Sequence, residues 1–270
     1  MNSVDAIIYG IIQGLSEFLP ISSSGHLALL PRLMNIQDPG VVFDLMMHLG
    51  TALAVITYFR KEILLYVQCL RPSVLNFSQG DPAQWFVRNF VLSTFVSVAL
   101  IVVLLPVSKE ARNPNLIVFN LCFFGLLLWL ADRANGKRTN WLESPMETGM
   151  QLKLAGLIGA AQAIAIFPGV SRSGITLSVA LLLGMKRKEA GSFSFLMSLP
   201  IILAGIMKEI PDLMQASNEK LSVLLLGVLS SFIVGLMTIH FFMKLISTIK
   251  LGYFTLYRCV IAVILFIFLN

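Results

Sequence analysis

Charge and cysteine are what this sequence has least of. Of 270 residues only 13% are Asp, Glu, Lys or Arg while 57% are hydrophobic, which excludes an ordinary soluble domain and predicts an integral membrane protein. The three cysteines, Cys69, Cys122 and Cys259, stand far apart with no CxxC spacing and no histidine cluster. That excludes a zinc motif and a disulfide framework, leaving them as packing residues. Basic residues outnumber acidic ones by 20 to 14, but they fall in short segments between apolar runs. They report membrane orientation and exclude a nucleic-acid partner. The first residues, Met-Asn-Ser-Val-Asp5, carry no basic n-region, so no cleaved signal peptide is expected.

Against this background one stretch concentrates polar chemistry: Gln13-Gly-Leu-Ser-Glu17-Phe-Leu-Pro20-Ile-Ser-Ser-Ser-Gly25-His26. Shifted by 149 positions, it lies over Gln162-Ala-Ile-Ala-Ile-Phe-Pro168-Gly-Val-Ser171-Arg172-Ser173-Gly174-Ile-Thr176. Gln13 falls on Gln162, Ser22 on Ser171, Ser24 on Ser173 and Gly25 on Gly174. The likeness continues downstream at a shift of 150, with Phe43-Asp-Leu-Met-Met-His-Leu-Gly50 against Phe193-Ser-Phe-Leu-Met-Ser-Leu-Pro200.

Each motif interrupts a short apolar segment. Ala6 to Leu19 predicts a helix of about 14 residues, shorter than the roughly 20 needed to cross a bilayer. Pro20 stops it, Ile21 to Ser24 form a polar turn, Gly25 relaxes the backbone, and Leu27 to Met34 begin a second short helix. Leu154 to Phe167, the Pro168-Gly169 break and a helix reaching Leu183 repeat the pattern. Helix, polar break and helix make a re-entrant hairpin, tolerated at membrane depth only where protein or a wet cavity covers it. Full spans are expected at Val41 to Phe59, Trp85 to Val107, Leu116 to Ala131, around Phe193 to Pro200, Leu221 to Phe242 and Tyr253 to Leu269. Polar connectors lie at Val67 to Gln84 and Asp132 to Lys153. The expected fold is an all-α polytopic membrane protein, a single domain over 1–270. It is an inverted-topology repeat, about 4–131 and about 153–269, with two re-entrant hairpins and about six transmembrane helices.

The Lys/Arg distribution orients it. With the Arg60 to Arg88 connector in the cytoplasm, Lys137, Arg138, the 186–188 cluster, Lys244 and Lys250 join it. Glu209, Asp212 and Glu219 face the other side, with Lys109, Arg112, Lys208 and Lys220 as exceptions. Both termini then lie outside, and the hairpins enter from opposite faces.

Gln13 and Glu17 are four apart, on one helical face. A carboxylate at membrane depth needs a partner, and Arg172 or a bound divalent cation supplies one. A purely structural Glu17 to Arg172 ion pair is the competing reading. Ser22, Ser23 and Ser24 before Gly25, and Ser171 and Ser173 around Arg172 before Gly174 and Thr176, precede helix starts. Free N–H groups, the helix dipole, hydroxyls and a guanidinium together suit linked phosphates, although each serine also reads as an N-cap. His26, three residues after Ser23, is a candidate base. Asp44 and His48, four apart in the next span, are candidates for support from behind the site. His240 reads as structural.

Such a site fits an enzyme acting on a lipid phosphate or a secondary transporter or flippase for an anionic lipid phosphate. Transport has no evident need for Glu17, Ser23 and His26 together. The Gln13-x-x-x-Glu17 pair running into Phe-Leu-Pro-Ile-Ser-Ser-Ser-Gly-His26, with Phe167-Pro-Gly-Val-Ser-Arg-Ser-Gly174, resembles the undecaprenyl-diphosphate phosphatases, the bacitracin-resistance membrane phosphatases. The resemblance runs over essentially the whole chain, including the tail near Tyr257-Arg258. It implies removal of the terminal phosphate from a polyprenyl diphosphate lipid, recycling the carrier for cell-wall synthesis. It also implies a Mg²⁺ or Ca²⁺ cofactor, and a bacterial inner membrane location with the site facing the periplasm or outer leaflet.

Carried over by residue, Gln13 and Glu17 match the family's carboxylate pair, Ser22 and Ser23 its hydroxyl pair, and His26 its histidine. Ser171, Arg172, Ser173 and Thr176 match the second motif. Glutamine stands where many members have the first glutamate, so Glu17 is the expected metal ligand. Ser23 is then the nucleophile and His26 its base, with water activated by His26 or Glu17, or direct attack by His26, as alternatives on the same residues. Oligomeric state is left open, a homodimer included.

Overall fold

A computed structural model describes residues 2–34, 36, 39–69, 82–110, 113–134, 148–213 and 218–269. These residues form eleven helices: α1 Ser3–Ser16, α2 Ser23–Met34, α3 Val41–Tyr58, α4 Arg60–Gln68, α5 Pro82–Glu110, α6 Pro114–Arg133, α7 Thr148–Ile164, α8 Arg172–Leu182, α9 Arg187–Leu213, α10 Asn218–Leu245 and α11 Gly252–Leu269. Among them α5, α6, α9 and α10 are long and apolar enough to cross a membrane. Helices α3 and α4 meet at 74° and add a fifth span if the bent pair counts as one. The expectation of about six also counted α11, which stands among the shorter apolar helices.

The breaks fall earlier than the sequence suggests. Helix α1 starts at Ser3 because Asn2 and Asp5 form a capping box, each side chain accepting the other's backbone N–H at 2.9 Å. It ends at Ser16, not Leu19, since Pro20 disfavours helix at the residue before it and the chain unwinds upstream. Helix α2 then begins at Ser23, not Leu27. The residue that turns the chain is Ser22, at φ 72°, while Gly25 lies inside the helix. Ser171, at φ 69°, does the same before α8. Ser22 and Ser171 are the non-glycine residues with positive φ among those described, and they hold equivalent places in the two motifs.

The halves exchange partners: α1 packs on α10 and α7 on α5, while α3 meets α9 and α6 meets α11. Small residues permit the close approach, the usual means of packing helices where lipid competes for apolar contact. A methyl added at Gly10 would stand 2.3 Å from the Gly227 carbonyl oxygen, and one at Gly159 2.4 Å from that of Ser93. Gly10 and Gly159 are themselves related by the 149-residue shift. A large apolar core around Phe18, Phe195, Ile158 and Ile239 fills the centre, with a second around Tyr9, Phe43 and Met47.

Cys122 and Cys259, isolated in sequence, meet across α6 and α11. Most of both expected connectors, with Lys137, Arg138 and Arg112, lies outside the described residues. So do the side chains of Lys109, Lys208, Glu209, Asp212, Glu219 and Lys220.

Candidate active site

The two breaks meet. Arg172, first residue of α8, donates from Nη2 to Glu17 Oε1 at 2.5 Å. Ser173 Oγ donates to the Leu19 carbonyl at 3.1 Å, and the Gly169 N–H to Ser24 Oγ at 3.2 Å. An ion pair and two hydrogen bonds thus tie one motif to the other.

Glu17 is the hub. It follows α1 as its C-cap, 6% exposed, with its N–H still bonded to the Gln13 carbonyl at 3.0 Å. Besides Arg172 on Oε1, Oε2 accepts from Ser23 Oγ at 2.7 Å and from Gln13 Nε2 at 3.1 Å. Gln13 is completely buried, and its Oε1 has no hydrogen-bond partner. His48 brings Nε2 to 3.5 Å from the same Oε2. Because His48 Nδ1 lies 2.7 Å from the Asp44 carbonyl, which only accepts, Nδ1 carries a proton. Nε2 is then the ring nitrogen that faces the carboxylate. His48 therefore touches the site directly, and Asp44 supports it through its backbone carbonyl.

The second motif is built as a cap. Ser171 Oγ accepts the Gly174 N–H at 3.2 Å, so its N-cap reading holds. Its hydroxyl also meets Ser173 Oγ at 3.4 Å, matching the 3.1 Å contact of Ser22 with Ser24. Thr176 donates to the Arg172 carbonyl at 2.7 Å and meets Ser194 Oγ at 2.6 Å, while Arg172 Nη1 reaches the Ser194 carbonyl at 3.5 Å. Gly169, at φ 86°, turns the chain where a methyl would come within 2.6 Å of the Ile117 carbonyl, so only glycine fits.

His26 stands apart from this cluster. Nδ1 is 2.8 Å from the Ser22 carbonyl and Nε2 is 2.8 Å from the Tyr257 hydroxyl. Ser23, its expected partner, bonds to Glu17 instead. The helix start explains this. With Ser23 opening α2, the His26 ring folds back onto the Ser22 carbonyl and presents Nε2 away from Glu17. At Gly25, expected to relax the turn, an added methyl would meet Leu121 at 3.5 Å, an ordinary contact distance. His240, on α10, makes edge contacts with Tyr58 and Phe241.

Two contributors are absent from the motif reading. Ser194 sits in the repeated Phe-Ser-Phe-Leu segment, whose signals were its repetition and its place in the family resemblance. Arg258 is fully buried, and it ties the middle of α6 to the Pro-Gly turn: Nε donates to Leu121 O at 2.9 Å, and Nη2 to Asn120 O, Gly169 O and Val170 O at 3.1, 2.8 and 3.0 Å. An arginine inside the last apolar run was the signal available.

Among the described residues no three His, Cys, Asp or Glu side chains group to hold a metal. The one carboxylate at the meeting of the breaks is Glu17, with Gln13 turning Nε2 toward it and His48 Nε2 3.5 Å away, so a hard cation held there would draw most of its oxygens from a ligand and water.

The fold and the site define a multi-pass helical membrane protein whose buried carboxylate and guanidinium meet, among serines, where two broken helices converge. The chain belongs to the bacitracin resistance protein BacA family, whose model matches residues 6–264. That family is one of undecaprenyl-pyrophosphate phosphatases.

Proposed function

We propose that this protein is an integral membrane phosphatase that hydrolyses undecaprenyl diphosphate to undecaprenyl phosphate and inorganic phosphate. The observation that carries the proposal is one carboxylate, Glu17, bonded at once to a serine hydroxyl and an arginine across the two breaks. Ser23 Oγ attacks the terminal phosphorus in line with the anhydride oxygen, and Glu17, which already accepts its hydrogen bond, takes the proton. Arg172, with the N–H groups opening α8, stabilises charge on the transferring oxygens. The anhydride P–O bond breaks and the lipid monophosphate leaves; water then attacks the phosphoserine, its proton passing to His26, while Glu17 returns its proton to Ser23 Oγ as the Ser–O–P bond breaks and inorganic phosphate leaves. Gln13 and Glu17 would hold a Mg²⁺ or Ca²⁺ ion, which neutralises phosphate charge when bound.

In this reading α1 with α2, and α7 with α8, are re-entrant hairpins of an inverted repeat. Support comes from the matching Ser22 and Ser171 turns and the exchanged packing of α1 and α7. The protein works in the bacterial inner membrane with its site toward the periplasm or outer leaflet. By returning the carrier to cell-wall synthesis, it makes the cell resistant to bacitracin.

The same repeat favours a second reading, a carrier or flippase for an anionic lipid phosphate. The experiment is phosphate release from a long-chain polyprenyl diphosphate by detergent-purified protein, with and without EDTA, for wild type and Glu17→Ala. Metal-dependent release that vanishes in Glu17→Ala is expected. Folded wild-type protein that binds the lipid but releases no phosphate under any metal overturns the phosphatase in favour of the carrier.

A further inference from the structure

His26 and Tyr257 come from opposite ends of the chain and meet at an opening in the fold. A groove of about 370 Å³ runs between the end of α1 and the start of α11, walled by Ile12, Leu15, Leu19, Ile21 and Phe254, with His26 and Tyr257 among its lining. The rings of His26 and Tyr257 stack, with centroids 5.6 Å apart and planes 9° from parallel. The Tyr257 hydroxyl is 2.8 Å from His26 Nε2.

These contacts dictate a tautomer. The Ser22 carbonyl only accepts, so Nδ1 carries the proton and, in neutral His26, Nε2 is the lone pair. Tyr257 must therefore donate its O–H to Nε2. If His26 gains a proton, the phenol O–H turns aside and Nε2–H donates to the phenol oxygen, so one partner serves both charge states with its oxygen in place. A base that takes up and gives back a proton needs such a partner.

The next residue anchors the backbone that carries Tyr257. Arg258 is locked on four backbone carbonyls of α6 and the Pro168 to Val170 turn. One dipeptide of α11 thus grips the second motif with its guanidinium and the first with its phenol.

We propose that Tyr257 is a positioning residue for this reaction: its hydroxyl, on the residue before Arg258, donates to His26 Nε2 and so holds the ring in the Nδ1–H tautomer at the edge of the groove. This rests on the phosphatase reading, but its structural half is testable without turnover. The chain has three histidines, so ¹⁵N-histidine labelling gives three side-chain spin systems, assigned by single replacement. In Tyr257→Phe, which keeps the stack and loses the hydroxyl, the Nε2 signal of His26 moves downfield toward an unbonded imine nitrogen while His48 and His240 stay. In the release assay kcat falls about tenfold, the worth of one hydrogen bond to a group that becomes charged, with KM within about twofold.

An unmoved His26 signal overturns the proposal. So does a full wild-type kcat, or a raised KM at unchanged kcat, which would make Tyr257 a lipid contact only. If Tyr257→Phe does not fold, wild-type protein made with 3-fluorotyrosine, whose phenol is the stronger donor, must move the same signal for the proposal to stand. A moved signal in a protein whose wild type releases no phosphate overturns the phosphatase reading and leaves the Tyr257 to His26 bond standing.

Discussion

Arg172→Lys is the substitution that best separates a working guanidinium from a structural one. Arg172 uses Nη2 on Glu17 at 2.5 Å and turns Nη1 toward the Ser194 carbonyl at 3.5 Å. A guanidinium carries five N–H donors in a planar fork, so donors remain for two phosphate oxygens at once. An ammonium offers one nitrogen. It can neutralise Glu17 or meet a phosphate oxygen, but it cannot span both. The variant therefore keeps the charge pair and loses at least one charge-assisted hydrogen bond to the transferring group, about 1.5–3 kcal/mol. That is roughly 10- to 150-fold in kcat/KM.

Stability should change far less, because the buried carboxylate is still compensated. Removing the charge altogether, as in Arg172→Met, strands Glu17 and costs about 3–5 kcal/mol. The assay is phosphate release from a polyprenyl diphosphate beside thermal unfolding of the same detergent-solubilised samples. A purely structural ion pair predicts near-normal turnover in Arg172→Lys, and that result would refute the assignment of Arg172 to phosphate binding.

Two further substitutions probe the nucleophile and the scaffold. Ser23→Ala removes the hydroxyl bonded to Glu17 and should lower release by at least about 10³-fold, while acid quenching of wild-type protein should trap a phosphoserine at Ser23. Full activity in Ser23→Ala would move the attack to water or His26. Gly159→Val drives side-chain atoms into the Ser93 carbonyl, 2.4 Å from where Cβ would stand, and should cost about 1–3 kcal/mol of stability. Gly156→Val, in the same helix with nothing within 4 Å of its Cβ, is the control, and equal unfolding midpoints for the two would refute the close α5 to α7 contact.

The legible part of this protein was what the bilayer makes expensive. Polar residues and short helices in an apolar chain stand out because lipid offers backbone and charge no alternative partners. The same reasoning paired Glu17 with Arg172 across 155 positions. What the sequence concealed was direction. A helix start moved from Leu27 to Ser23 rotates everything after it by more than a full turn. That shift decides whether His26 meets Ser23 or Tyr257. Turn chemistry concealed it, because a serine at φ 72° did the work expected of Gly25. Arg258 was visible as a charge in an apolar run, but its partners are four carbonyls, which leave no mark in a sequence.

The arrangement also links assembly to chemistry. Helix α1 carries Gln13 and leads into Glu17, yet it packs on α10 from the other half. Helix α7 leads into Arg172, yet it packs on α5 from the first. Most of the surface that seats each short helix thus belongs to its counterpart. The Glu17 to Arg172 pair then closes only when both exchanges are complete. Until that moment each charge lacks its opposite, and burying either alone costs several kcal/mol. An expensive pair at membrane depth thus favours the fully assembled fold over half-docked alternatives, and the carboxylate and guanidinium that drive closure are the groups we assign to phosphoryl transfer.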